Sequence, residues 1–512
     1  MIRKWKLYNF KSISKPLEIE FKPLTILAGA NSSGKSTVLQ SILLISQTLS
    51  KRNNSDSLIL NGPLVQLGQF DDIRSFGSSH QQISFGWQID STYKTIEEHD
   101  FFSNKEPITI TCDFSFEADA SRSEDSQFQP SLFGCEIKIA SSNSATKLIS
   151  SHNKFIENKY FQNLQTKSTS DIEKALKYNV DTDSYLTQQI TSYIVPYEQP
   201  KLVGVSFLNI LPNKILVHGL DPDFNSETNK VEYFQKVEFA NLPNFFSHPI
   251  NQMIITFSSK IRYLGPLRDE PKILYPFNFS DNLFDVGLRG EHSASVLDQN
   301  KIRRISYINP EIFKSNSLVP QLSVRTLQTA VNDWLLYMDV AQSVQTNKSG
   351  HFGYEMKVFM DDDTTGRDLT HVGVGISQVL PILVMCLLAD KETIIVLEQP
   401  ELHLHPKVQT RLADFFLSMA LLGKQLIIET HSEYIVNRLR FRAASAKTDT
   451  VSSLLKLYFV QKEAGNSIFK DVVVTQYGAI LDWPDGFFDQ AQDEAEDIIR
   501  AATLKIKMDR GK

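Results

Sequence analysis

A glycine- and serine-rich stretch near the start of the chain carries the residues best suited to chemistry. It reads GANSSGKST over residues 29–37 and fits the pattern G-x-x-x-x-G-K-[ST] of a phosphate-binding loop. Glycines let the backbone curl until successive N–H groups point at one phosphate, and the following helix adds the positive end of its dipole. The stretch lies between a strand pattern and a helix pattern, as the motif requires, so it predicts a nucleotide site.

Two side chains of this loop have distinct expected roles. The Lys35 ammonium can reach the β- and γ-phosphate oxygens of ATP, and the Ser36 hydroxyl can bind the accompanying Mg²⁺. The residues expected to hold the nucleotide in this loop are Asn31, Ser32, Ser33, Gly34, Lys35, Ser36 and Thr37.

A second candidate site follows the apolar run 393–397, which leads into Glu398-Gln399. A carboxylate at the end of a buried strand suits Mg²⁺, so Glu398 is expected to be a second metal ligand. Gln399 stands where ATP-hydrolysing machines usually carry a general base. Its amide can orient a water molecule but cannot usefully take a proton near neutral pH.

Three outcomes remain open for hydrolysis. Glu401 can supply the base, or His431 can, because an imidazole changes charge near neutral pH. In the third outcome hydrolysis is slow and ATP acts mainly as a clamp that holds an assembly together. We favour slow hydrolysis with a mainly regulatory ATP.

Apolar patterns predict the elements that position these residues. The expected strands are Leu24–Ala28, Tyr354–Met360, Thr393–Leu397 and Gln425–Glu429. The expected helices are Ser36–Thr48, Gly375–Leu388, Pro406–Leu422 and Ser432–Ala444. Between 83 and 260 the pattern changes to strands separated by serine-rich stretches, with a polar helix near 168–195.

The order of the motifs resembles that of ABC-class ATPases: phosphate loop, long insertion, signature at a helix start, acid-ended strand, and a histidine after another strand. Gly373, Gly375 and Ser377 lie at the helix start, and His431 follows the later strand. The resemblance implies that the signature of one subunit closes on the ATP held by another. The usual signature begins with serine, where this chain has Gly373, so either Ser377 or backbone N–H groups alone would bind the phosphate.

This resemblance implies an α/β fold with four parts. An ABC-type P-loop ATPase head is assembled from an N-terminal lobe, 1–82, and a C-terminal lobe, 261–470. An inserted mixed α+β region occupies 83–260, and a small C-terminal domain occupies 471–512.

Further stretches look together like the OLD/RecF-like ATPases of bacteria that end in a small uncharacterised domain. They are FKSI, LTILAGANSSGKST, YLGPLRDEP, VGVGISQVLP, LEQPELHLHP, ETHSEYIVNRLR and WPDGFFDQ. The resemblance covers roughly 1–75 and 260–490. It implies an ATP-dependent homodimer or higher homo-oligomer that controls a partner effector, expected to be a nuclease, in anti-phage defence. The stretch after His431 is too short for the nuclease domain of OLD proteins, so the nuclease is expected on a separate chain.

Two other functions remain open. One is a DNA repair or recombination ATPase that binds DNA directly, and the other is a nucleotide-sensing scaffold that does not hydrolyse ATP. Nucleic acid is therefore a possible partner, either directly or through the effector.

Composition narrows the setting. The chain has 512 residues, a net charge of −6 and a pI of about 6.0, which argues against a uniformly basic nucleic-acid surface but leaves room for a local basic groove. Its three cysteines lack metal-like spacing and favour a reducing, cytoplasmic compartment. No apolar stretch is long enough to span a bilayer, so no membrane association is expected.

Three weaker candidates keep alternatives. Arg268 can contact a phosphate or a neighbouring subunit, or form a local salt bridge with the acids that follow it. His403 and His405 can bind a metal, although an interface role is favoured because no third ligand has convincing spacing. The basic stretch NRLRFR, 437–442, is expected to be a solvated or interface helix face rather than a nucleic-acid site.

Overall fold

The computed structural model describes most of the chain. The described residues are 1–51, 57–92, 107–118, 130–141, 145–151, 180–182, 198–225, 229–276, 283–314, 320–360, 365–484, 486, 488 and 490–510. They form two compact units. The first unit is Met1–Phe21, Ser36–Ile261 and Ala464–Asn466, and the second is Lys22–Lys35, Arg262–Glu463 and Ser467–Lys512.

The secondary structure is mixed α/β. The strands are β1 (Ile2–Tyr8), β2 (Leu17–Glu20), β3 (Leu24–Gly29), β4 (Ile83–Thr92), β5 (Pro107–Ala118), β6 (Pro130–Ala140), β7 (Ala145–Ser151), β8 (Val180–Thr182), β9 (Glu198–Leu208), β10 (Leu211–Asn225), β11 (Lys230–Asn241), β12 (Ile261–Leu264), β13 (Leu274–Tyr275), β14 (Arg304–Ile308), β15 (Leu322–Thr326), β16 (Ser343–Ser349), β17 (Gly353–Phe359), β18 (Arg367–Asp368), β19 (Ile394–Glu398), β20 (Gln425–Thr430), β21 (Leu455–Glu463) and β22 (Asn466–Val472). The helices are α1 (Lys35–Ser50), α2 (Phe70–Ile73), α3 (Asn244–Ser259), α4 (Ser293–Asn300), α5 (Leu327–Met338), α6 (Gly375–Leu388), α7 (Pro406–Leu421), α8 (Glu433–Ser445), α9 (Thr450–Leu454) and α10 (Gln490–Arg510). Short 3-10 helices occupy Pro310–Lys314 and Leu369–His371.

The first unit is built on antiparallel sheets. A seven-stranded sheet has the order β2-β1-β4-β5-β6-β7-β8, and a three-stranded sheet has the order β11-β10-β9. Burial alternates along β5, as expected for a sheet with one covered face. On that face Trp5 stacks on Trp87 with ring centroids 5.6 Å apart, and the Trp5 indole N–H donates to Ser41 on α1 at 2.8 Å.

The second unit is built on a six-stranded sheet of order β12-β19-β20-β3-β21-β22. Strand β3 pairs in parallel with β20 and with β21, so one N-terminal strand lies between two C-terminal strands. Every residue of β3, β19 and β20 is buried, which is the pattern of parallel strands covered on both faces. The predicted assembly of an α/β head from N- and C-terminal segments is confirmed, because strands from both ends of the chain pair in this sheet.

Helices α7 and α8 are joined by a buried ionic cluster. Asp414 on α7 is fully buried and accepts from Arg438 and Arg442 on α8, each at 2.7 Å. The Tyr337 hydroxyl donates to the same carboxylate at 2.6 Å. The expectation of a solvated basic face was therefore wrong for Arg442, which is 1% exposed, because an acid from another helix pairs with it.

The predicted elements around the motifs agree with the structure to within one or two residues, and helix Gly375–Leu388 has the predicted bounds. The polar helix expected near 168–195 lies outside the described residues, apart from 180–182, which form strand β8. The four-part domain division stays a prediction. Within the described part of the chain, no helix combines the length and the hydropathy that a membrane span needs.

Candidate functional site

The phosphate loop leaves the carboxyl end of β3 in a backbone conformation that favours glycine at two positions. Gly29 has φ +149° and Gly34 has φ +101°. A Cβ atom at Gly29 would lie 2.1 Å from the Val460 carbonyl oxygen on β21, so the neighbouring strand excludes any side chain there. Ser32 has φ +59°, a left-handed conformation uncommon outside glycine. The loop thus has the tight curvature that phosphate binding requires.

Lys35 begins helix α1 and lies over the loop. Its ammonium donates to the Ala30 carbonyl at 2.7 Å and to the Gly29 carbonyl at 3.1 Å, and the residue is 2% exposed. Burial lowers the pKa of Lys35, while the carboxylates of Glu429 and Glu401 oppose that shift. The cation is therefore held at the loop and faces acids from two later parts of the chain.

The remaining loop residues divide by exposure. Asn31 and Ser32 are exposed, whereas Ser33 is buried and its carbonyl accepts from the Ser467 hydroxyl at 2.6 Å. Ser36 and Thr37 are the next residues of α1, where the Thr37 hydroxyl lies 3.1 Å from the Ser12 hydroxyl. The nucleotide-binding roles of these residues stay predictions.

Two carboxylates lie side by side at the carboxyl edge of the parallel sheet. Glu398 ends β19 and its Cα is the register partner of the Cα of Glu429 on β20. Both residues are buried, and Glu398 Oε1 accepts from the Tyr263 hydroxyl at 3.0 Å. Like charges at paired positions on neighbouring strands destabilise a sheet, and a divalent cation offsets that repulsion. The donor set at this edge fits Mg²⁺.

Gln399 and His431 face each other just beyond these strands. The Gln399 backbone has φ +43°, its N–H donates to the Glu429 carbonyl at 2.8 Å, and its Nε2 lies 3.3 Å from His431 Nε2. Burial lowers the pKa of His431, and the Lys35 ammonium lowers it further, while a hydrogen bond to the Gly29 carbonyl opposes the shift. Burial and the Lys35 charge both favour the neutral imidazole, and the bond to Gly29 places it beside the phosphate loop.

Glu401 is buried behind Gln399. Its Oε1 accepts from the His431 backbone N–H at 2.5 Å, whereas its Oε2 is buried and has no hydrogen-bond partner among the described residues. Burial raises the pKa of the Glu401 carboxyl, and the His431 hydrogen bond opposes that shift. The carboxylate thus anchors the turn that carries His431, and one of its oxygens is closed off from solvent.

The glycine signature lies at the start of α6. A Cβ atom at Gly373 would meet no described heavy atom within 4 Å, and one at Gly375 would meet only Leu404 Cδ2 at 3.9 Å. Packing within the described chain therefore does not require glycine at either position. The Ser377 hydroxyl is buried and donates to the Val374 carbonyl at 2.7 Å. No hydrogen bond of the described residues joins Gly373, Gly375 or Ser377 to the phosphate loop.

The structure brings together Lys35, Glu398, Glu401 and His431 and adds two residues that the sequence analysis missed. Glu429 follows the apolar run 426–428 just as Glu398 follows the apolar residues of its own strand, so the same pattern would have found it. Tyr263 has no such local signal, because only the pairing of β12 with β19 places it beside Glu398.

The two histidines lie at the start of α7. His405 caps α7, where its Nδ1 accepts from the Lys407 N–H at 3.2 Å, and His403 has φ +60°. No group of three or more metal-ligating His, Cys, Asp or Glu side chains occurs among the described residues.

Comparison with known proteins gives two family matches. The family described as AAA ATPase domain matches residues 1–436, and a protein of unknown function (DUF3696) matches residues 452–498. The predicted α/β ABC-type ATPase fold is confirmed by the first match together with the parallel strands on both sides of β3. The predicted small terminal domain overlaps the second match.

Individual relatives are distant. The Old nuclease of Escherichia phage P2 is 24% identical over an alignment of 184 residues that covers 33% of this chain and 28% of that protein. An SMC head domain from Thermotoga maritima aligns with 92% of this chain and 98% of its own, at 10% identity and a TM-score of 0.37. An SmcHead bound to the C-winged helix domain of ScpA has the same coverage and identity, with a TM-score of 0.40.

Proposed function

Because the chain belongs to the AAA ATPase domain family, we propose that it binds ATP with Mg²⁺ at the phosphate loop and hydrolyses it slowly. One observation carries this proposal. Lys35, on the loop after β3, interacts with Glu401 and Glu429, which come from the far end of the chain. A cation and acids gathered at the carboxyl edge of a parallel sheet form the kind of place where α/β proteins bind nucleotides.

Slow hydrolysis follows from the groups available to activate water. Gln399 offers only an amide, and the free oxygen of Glu401 is buried. Burial favours the neutral imidazole of His431, but its Nε2 lies at hydrogen-bonding distance from Gln399. Water would be oriented by Gln399 and not efficiently deprotonated, so the bound state with ATP would be long-lived.

Magnesium would be held by the Glu398 carboxylate and the Ser36 hydroxyl. When bound, the ion would neutralise phosphate charge and the repulsion between Glu398 and Glu429. Tyr263 would keep the Glu398 carboxylate oriented through its hydrogen bond.

The uncrowded glycines at the start of α6, Gly373 and Gly375, support an assembly of two copies of the chain. Glycines that no described neighbour requires leave room for close approach of another molecule to the N-terminus of α6. We place the ATP of a second copy there, bound by backbone N–H groups at the helix start. ATP would then hold a homodimer, or a higher homo-oligomer, together.

The downstream role is control of a separate effector. The similarity to part of the Old nuclease favours a nuclease partner and a role in anti-phage defence.

Because the Ser377 hydroxyl is engaged within its own helix, assembly would depend on the backbone N–H groups at Gly373 and Gly375.

The test is ATP binding and phosphate release by the purified full chain and by Lys35→Ala. The proposal expects micromolar binding, slow turnover, and loss of both in the variant. Undiminished ATP binding by Lys35→Ala would overturn the site. If the wild-type chain binds ATP but releases no phosphate, the alternative of a nucleotide-sensing scaffold that does not hydrolyse ATP would be supported instead. Salt-sensitive DNA binding by the chain alone would support direct action on DNA instead of through an effector.

A further inference from the structure

Arg268, in the loop that leaves β12, is buried without a partner for most of its guanidinium. The residue is 6% exposed, and its Nε and Nη1 atoms have no hydrogen-bond partner among the described residues. The local salt bridge open to it from the sequence is not formed, because Asp269 pairs with Lys272 at 2.5 Å. Burial of a cation without hydrogen bonds is costly unless an anion is supplied.

The surroundings of Arg268 are those of the candidate ATP site. Burial lowers the pKa of Arg268 to about 10, and Tyr263, Glu398 and Glu401 oppose the shift. Glu401 interacts with Lys35 as well. The two cations therefore act on the same carboxylate from two different loops.

The sheet order explains how this comes about. The strands run β12, β19, β20, β3, so the Arg268 loop, Glu398, Glu429 and the phosphate loop follow one another across the sheet. The Tyr263–Glu398 hydrogen bond fixes the end of β12 beside the end of β19. Three strand spacings of about 4.8 Å separate β12 from β3, roughly 14 Å in all. The Arg268 side chain, reaching from the β12 end, would meet the phosphates of an ATP bound at the loop after β3 across that span.

The loop that carries Arg268 is held in place before any ligand arrives. The Gly265 N–H donates to the Leu288 carbonyl at 2.8 Å, and the Asp269 N–H donates to the Arg289 carbonyl at 2.8 Å. These bonds flank Arg268 on both sides. A preorganised donor loses less conformational entropy when it binds a ligand.

We propose that Arg268 is a second phosphate-binding residue of the ATP site, which donates to the terminal phosphate and so distinguishes ATP from ADP. This rests on the proposed function, since it takes ATP to lie at the phosphate loop. A planar guanidinium fork matches two phosphate oxygens, and charge-assisted bonds of this kind are the stronger ones. ADP lacks the terminal phosphate and would leave Arg268 as it is in the free protein.

The test replaces Arg268 with methionine or lysine and uses Lys272→Met as the control in the same loop. Binding of ADP and of a non-hydrolysable ATP analogue is measured with Mg²⁺, together with melting of the nucleotide-free protein. Arg268→Met should weaken the ATP analogue about 10- to 100-fold and change ADP affinity less than about twofold. It should also melt at the wild-type temperature or higher, because an unpaired buried charge is removed.

Arg268→Lys keeps the charge but loses the fork, so it should show an intermediate loss of ATP preference and protects the test if the methionine variant does not fold. Lys272→Met should match wild type. An unchanged ratio of ATP-analogue to ADP affinity in both Arg268 variants would overturn the inference. Lys35→Ala separates the two levels: if it still binds ATP, the proposed site itself fails.

Discussion

The substitution Glu401→Gln distinguishes two roles for the Glu401 carboxylate. One is to anchor the turn that carries His431, and the other is to act as the general base. Glu401 is 7% exposed, and its Oε1 accepts from the His431 N–H at 2.5 Å. Glu401→Gln keeps an oxygen in that place and puts an amide nitrogen at the buried second position. The shape of the turn that carries His431 is retained, while the carboxylate charge two residues after Gln399 is removed.

The structure sets the expected size of the effect. As an anchor, Glu401 loses a charge-assisted hydrogen bond and gains a neutral one, a difference of about 1 kcal/mol. Removal of the buried Glu401 charge has the opposite, stabilising effect, because Oε2 has no hydrogen-bond partner among the described residues. Turnover should then change less than about threefold. A general base would instead contribute about 10²- to 10⁴-fold, or about 3–5 kcal/mol of the barrier.

Single-turnover phosphate release measures this directly, with ATP affinity determined on the same samples. Glu463→Gln, at an exposed site on β21, is the matched control for the substitution itself. We expect slow phosphate release from the wild-type protein, from Glu401→Gln and from the Glu463→Gln control. A loss of 100-fold or more in Glu401→Gln at unchanged ATP affinity would assign the general base to Glu401. It would refute the proposal that hydrolysis is slow because no side chain efficiently deprotonates water.

Three further predictions address the framework of the site. Gly29→Ala should abolish ATP binding and destabilise the fold by more than about 1–3 kcal/mol, because a Cβ there lies 2.1 Å from a carbonyl oxygen; a variant with wild-type melting and binding would contradict this. Asp414→Ala should lower the free energy of unfolding in urea by about 3–5 kcal/mol, because it strands buried Arg442, and a loss below 1 kcal/mol would speak against the cluster. Burial lowers the pKa of Lys424 from 10.5 to about 8, so the unfolded chain binds more protons between those pH values and wild-type stability should rise across that window. Lys424→Met should remove the rise, and an identical pH profile in the variant would exclude Lys424 as its source.

Local pattern was enough for the elements that carry the motifs. The phosphate loop requires a strand, a glycine turn and a helix in immediate succession, and each has its own period or residue type. Helix Gly375–Leu388 was predicted with its bounds because an apolar run follows two glycines and ends at the polar 390–392. These features depend on neighbours in the chain.

Long-range pairing was not readable in the same way. Arg442 looked like a surface residue because its partner, Asp414, belongs to another helix. Arg268 stands next to Asp269 in the chain, yet that acid pairs with Lys272. Glu429 carries the same signal as Glu398, but its importance becomes visible only when β20 takes its place beside β3. In each instance the partner is chosen by the tertiary fold and not by sequence distance.

If the pocket built from both ends of the chain closes on ATP through a second copy, ATP should join two molecules of the protein. Light scattering on the full chain, with Mg²⁺ and with or without a non-hydrolysable ATP analogue, tests it most directly, using Lys35→Ala as the control. We expect the analogue to shift the wild-type mass to twice its nucleotide-free value, or to a higher multiple, and to leave the mass of Lys35→Ala unchanged. A mass that ignores the nucleotide, or that shifts equally in Lys35→Ala, would contradict it.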